Sequence, residues 1–136
     1  MNVIVNKIVS KFKNKKKLLV SIITLIFMMF GSFFGLFEEV LTLLPLIIMV
    51  TISIGYDGYL GFIICIVATG FGFASGLTNP FTVITASNII GVSPMVNIWY
   101  RVIVFILMYG LLLLYIFYHM KKITNNPEKS PTYNID

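Results

Sequence analysis

Between Leu18 and Met120 the chain carries only four charged side chains, Glu38, Glu39, Asp57 and Arg101, and this gap in charge narrows its folding options more than any other feature. A soluble core of that size would need a charged coat, and none is present in the middle of the chain. With 58% hydrophobic residues and the remaining charge gathered at the two ends, a water-soluble globule is excluded and an all-α integral membrane fold is expected. The uncharged stretches 18–37, 40–56, 58–100 and 102–118 stand against the roughly 20 apolar residues that a helix needs to cross a bilayer. The first and last are long enough, the second is marginal, and the third must contain more than one element.

Residues 1–17 hold six lysines, interleaved at first with Val3, Val5, Ile8 and Phe12. This pattern reads as a basic interfacial segment, retained in the cytoplasm and drawn to anionic lipid rather than to nucleic acid. Lys121 and Lys122 open a polar tail, residues 121–136, that reads as cytoplasmic by the same rule. The expected setting is the plasma (inner) membrane, multi-pass, with both termini inside. The first apolar run ends in phenylalanines and glutamates, with no small-residue cleavage site, so no cleavable signal is expected. The lone Cys65 suggests neither a disulfide nor a metal site.

The last helix is expected within residues 92–120, after a loop. Trp99 and Tyr100 at one end and Tyr115 and Tyr118 at the other suit two interfacial belts about 27 Å apart. Arg101 and His119 then read as interfacial residues, Arg101 by snorkelling. Residues 55–91 read as a turn, with Asp57 as a solvated turn residue or helix cap, followed by a broken transmembrane helix. Gly72 and Gly76 allow close helix approach, and Asn79 with Pro80 interrupts the hydrogen-bond ladder. Groups freed by such a break are tolerated at membrane depth only where protein or a cavity satisfies them. Ser75, Thr78, Asn79 and Thr82 are the neutral ligands expected beside it.

Glu38 and Glu39 follow a glycine-punctuated stretch containing Gly31 and Gly35. Two topologies remain open from the residues alone. In a four-span protein, such as an anchor or oligomeric regulator, the glutamates lie in a solvated turn. In a re-entrant hairpin over residues 18–54 with its tip at Gly31 and Gly35, they lie in the membrane, where a carboxylate pair needs a proton, an ion or a cationic solute to compensate it. No nucleophile and base pair or metal-ligand spacing points to an enzyme.

The ordered combination of Gly35 to Glu39 before Pro45, Gly55 to Asp57, Gly72 to Gly76, and Asn79 to Val83 resembles the YfcC and DcuC-like carriers of the ion transporter superfamily. These include C4-dicarboxylate anaerobic carriers and proteins named as basic amino acid antiporters. The resemblance implies the hairpin topology, with the broken helix facing the hairpin tip. It implies one half of a secondary-transport site, with Glu38, Glu39, Ser75, Thr78, Asn79 and Thr82 binding solute and coupling ion. No cofactor is expected beyond coupling Na+ or H+, with no other metal site. The expected partners are the lipid bilayer, a small organic solute, the second repeat of a longer carrier, and a second copy in a homodimer. Two acidic residues favour basic amino acids over dicarboxylates, and an antiporter is one form such a carrier takes.

Overall fold

The computed structural model describes residues 3–134, and no strand occurs among them. A short amphipathic helix, α1 (Val3–Lys11), precedes α2 (Lys16–Phe34), whose last turn widens into a π-helix. The chain turns through Gly35, returns as α3 (Glu39–Ser53), and turns again into α4 (Gly58–Ala74). A break over residues 75–79 separates α4 from α5 (Pro80–Ile90). After residues 91–97 the chain returns along α6 (Ile98–Asn125) and ends in a 3₁₀ turn, Pro127–Lys129. Helices α2 and α6 are long and apolar enough to cross a membrane, while α3, α4 and α5 are shorter apolar helices.

Helix α4 lies at the centre, with its first half against α3, its second half against α2, and α6 along another side. Its junction with α2 is made by two glycines. A Cβ on Gly31 would collide with the Thr69 carbonyl, and one on Gly72 with the Met28 carbonyl. Only hydrogen at both positions lets the two backbones touch. Of the pair singled out in the sequence, Gly72 therefore meets α2, whereas Gly76 lies in the break. Buried Met28, Val40, Leu60, Ile64 and Ala68 fill the space among α2, α3 and α4, and Ile116 and Met120 add the α6 side.

The antiparallel register of α4 and α6 can be read from side chains. Asp57 meets His119, the Tyr59 and Tyr115 hydroxyls are 3.2 Å apart, and Arg101 reaches Leu77. Lys16 stands beside Gly55 and over the Tyr56 ring, so the α2 and α3 ends of the hairpin lie together at the His119 end. The hairpin tip and the helix break lie together at the Arg101 end, about 27 Å away at 1.5 Å per residue. They are one turn from the start of α6, not halfway along it. Helix α4 runs through about five turns before it breaks, because its polar and proline signals begin only at Ser75.

Candidate functional site

The break is held open by the hairpin tip through main-chain groups. Ser32, wholly buried in the last turn of α2, accepts from the Leu77 amide at its hydroxyl (3.0 Å) and again at its carbonyl (3.1 Å). The Ser32 carbonyl also accepts from the Thr78 amide at 3.3 Å. The Thr78 hydroxyl donates to the Phe33 carbonyl (3.2 Å), and the Asn79 side-chain amide donates to the Gly31 carbonyl (3.1 Å). The last turn of α2 offers carbonyls, and the break after α4 offers the amides of Leu77 and Thr78, so the two interruptions satisfy one another.

Asn79 has a second role. Its side-chain oxygen accepts from the Phe81 amide at 2.9 Å, which caps α5, and Pro80 occupies the first helical position, where a missing N–H does no harm. Asn79 and Pro80 thus start a new helix as much as they interrupt an old one. Gly35, at φ +69°, makes the turn that this packing demands, and a Cβ there would lie 2.6 Å from the Asn79 oxygen.

Glu38 and Glu39 follow this turn, both exposed, with Glu39 opening α3. Together with Gly35, Phe37, Gly70, Phe73 and Phe81 they line an open cavity of about 550 Å³. The Phe37 and Phe73 rings meet edge to face, 6.3 Å apart. An acidic rim above aromatic walls suits a solute with a cationic group and an apolar body.

The six residues expected to act together are separated by the break. Only the glutamates reach this cavity. Thr78 bonds to the hairpin tip, and Asn79 divides its side-chain amide between the tip and the start of α5. Ser75, which bonds to the Gly72 carbonyl, and Thr82 face a second cavity of about 500 Å³ between α5 and α6. Arg101 also lines that cavity. Its guanidinium donates to the carbonyls of Leu77 (2.9 Å), Val96 (2.9 Å) and Pro94. The snorkelling expectation is thereby replaced, since the long side chain clips residues 91–97 to the break.

At the far end of the bundle Asp57 does cap α4, accepting from the Leu60 amide at 3.1 Å, but it is buried and not solvated. The His119 Nε2 lies 3.1 Å from each Asp57 carboxylate oxygen, and the Ser130 hydroxyl donates to Asp57 at 2.5 Å. Burial alone would raise the Asp57 pKa. Hydrogen bonds from His119 and Ser130, with the charge of His119 and the Leu60 amide, bring it below its ordinary value. His119 is thus buried against a specific partner, which spacing could not reveal, because 62 residues separate the two. The only available signal was a polar residue of each kind beside the same end of the apolar runs.

Comparison with known proteins bears on what this arrangement serves. Residues 1–135 match the family described as DcuC, C4-dicarboxylate anaerobic carrier. A protein of Haemophilus influenzae named only as uncharacterized is 28% identical over 131 residues, covering 93% of this chain and 25% of that protein. "Putative basic amino acid antiporter YfcC" of Escherichia coli K12 is 28% identical over 112 residues, 82% of this chain and 22% of that protein. The chain thus spans about a quarter of the length of the curated relatives it matches. No solved structure matches it. On the strength of a match over nearly its whole length, the chain belongs to the DcuC carrier family, whose members are membrane transporters and not enzymes.

Proposed function

We propose that this chain supplies one half of the solute site of an ion-coupled or exchange carrier, at the cavity rimmed by Glu38 and Glu39. The observation that carries this reading is the mutual lock between the hairpin tip and the helix break, which sets two carboxylates over an aromatic-walled cavity. Main-chain polar groups satisfied by another interrupted helix are the arrangement in which broken helices are tolerated in membranes. The acidic rim favours basic amino acids, and the E. coli relative is named for such solutes. A C4-dicarboxylate would need coupling Na+ or H+ between itself and the glutamates. The remainder of the site comes from further segments of a longer carrier, since the relatives are about four times the length of this chain.

In this proposal α2 and α3 enter and leave through the cytoplasmic face of the inner membrane, and both described ends lie there. At 28 residues α6 is about 42 Å long, exceeding the hydrocarbon core by roughly 12 Å. That excess allows the tip to sit below the outer surface, in the outer part of the bilayer.

A Phe37→Cys carrier with Cys65 replaced by Ser, probed in intact cells with a membrane-impermeant thiol reagent, tests the assignment. Slow labelling that lysine or arginine slows further is expected. Rapid labelling indifferent to every solute would return the glutamates to an ordinary external turn and overturn the proposal.

A further inference from the structure

The second cavity has a chemistry opposite to the first. Arg101 is part-buried in its wall, and no carboxylate pairs with it among the described residues. Glu38 and Glu39 rim the other cavity, Asp57 is paired at the far end, and Glu128 lies in the polar tail beyond α6. The three carbonyls that hold the guanidinium are neutral and leave its charge uncompensated. They also leave its Nε–H and one Nη1 hydrogen without a protein acceptor. Ser87 adds a hydroxyl to the same wall. The residue is only 7% exposed, and it lines the cavity without bonding to a carbonyl of its own helix among the described residues. A helical serine ordinarily bonds back to the preceding turn, so this hydroxyl is left to donate into the cavity. The Thr82 hydroxyl and the Asn97 side chain line the same space.

We propose that this cavity, between α5 and the amino-terminal end of α6, is an oxyanion-binding site distinct from the glutamate cavity. Arg101 supplies the charge and a second N–H, and the Ser87 and Thr82 hydroxyls donate to the remaining oxygens. A tetrahedral or planar oxyanion suits this set, because guanidinium and hydroxyl donors converge on it while the exposed helix start adds a favourable dipole. The source of the group is either free inorganic phosphate or the phosphate of a lipid headgroup. The exposed Trp99 and Tyr100 beside the cavity suit a headgroup neighbour equally well. The inference does not depend on the glutamates and would stand if they bound nothing.

The sole tryptophan, Trp99, adjoins the site and serves as its reporter. The purified full chain in a lipid-free neutral detergent is titrated with inorganic phosphate and with sulfate, against chloride at matched ionic strength. In a parallel arm it receives mixed micelles containing phosphatidylglycerol. A saturable fluorescence change with at least one oxyanion, absent with chloride, is expected. It should weaken by about tenfold or more in Arg101→Gln and by a few-fold in Ser87→Ala, which removes one hydroxyl without disturbing the helix. Saturation by phosphate or sulfate identifies a free ligand, and saturation only by phosphatidylglycerol identifies a headgroup. No saturable change in either arm, or a change of equal strength in Ser87→Ala and Arg101→Gln as in the native chain, overturns the proposal.

Discussion

The two ends of the helical bundle are held together by different chemistry. At the His119 end the bonds run between side chains: Asp57 to His119 and Ser130, and Tyr59 to Tyr115. At the Arg101 end they run to the backbone, where Ser32, Thr78, Asn79 and Arg101 all engage main-chain groups of interrupted helices. Intact helices keep their main-chain polar groups to themselves, so their ends must be joined by side chains. Broken helices offer carbonyls and amides that can be exchanged for those of a neighbour or a ligand. The first end is suited to holding the bundle, and the second to binding and rearrangement.

The sharpest way to break this contrast is at the glycine crossing that leads to the backbone-held end. Gly72→Leu should destabilise the chain by about 3 kcal/mol or prevent folding, since the α2 main chain cannot give way to a side chain. Thermal unfolding in detergent checks this. Asn79→Ala removes both a cap and the pin to Gly31, and about 2 kcal/mol should be lost. The damage should be local, with labelling of cysteines near residues 75–79 rising more than labelling near Asp57.

At the side-chain-held end the comparison sharpens with pH. The folded-state pKa of Asp57 lies below its ordinary 3.8. Its contribution to stability is thus fully present above that value and is lost as pH falls below it through the folded pKa. Asp57→Asn should be less stable at neutral pH and should lose this acid-dependent component, as seen in unfolding midpoints followed from about pH 5 down to about pH 2. Thr78→Val, which deletes one part-buried hydrogen bond among several at the tip, should cost only about 1 kcal/mol or less.

The membrane character of the chain was legible from its charge gap, and the helix break from Asn79 and Pro80, because both signals are local. Asn79 shows why the site was less so. Its place at the break follows from sequence, but its use as a pin depends on Gly31 across 48 residues. Ser32 contributes most to the lock, yet nothing in the sequence around it sets it apart from its glycine and phenylalanine neighbours. Ser75 and Thr82 looked like companions of the glutamates because they are near Asn79 in sequence. The turn of the chain at Pro80 sends them to the opposite cavity. Asp57 reads from sequence as a turn residue or helix cap and His119 as an interfacial residue, since nothing in their local surroundings announces a pairing across the bundle.

The carboxylates themselves remain the most direct point of attack. Uptake or exchange of lysine and arginine in vesicles, by a carrier containing this segment, should fall at least tenfold in both Glu38→Gln and Glu39→Gln, with protein levels unchanged. Full activity in both variants would contradict the assignment of the acidic cavity as the solute site.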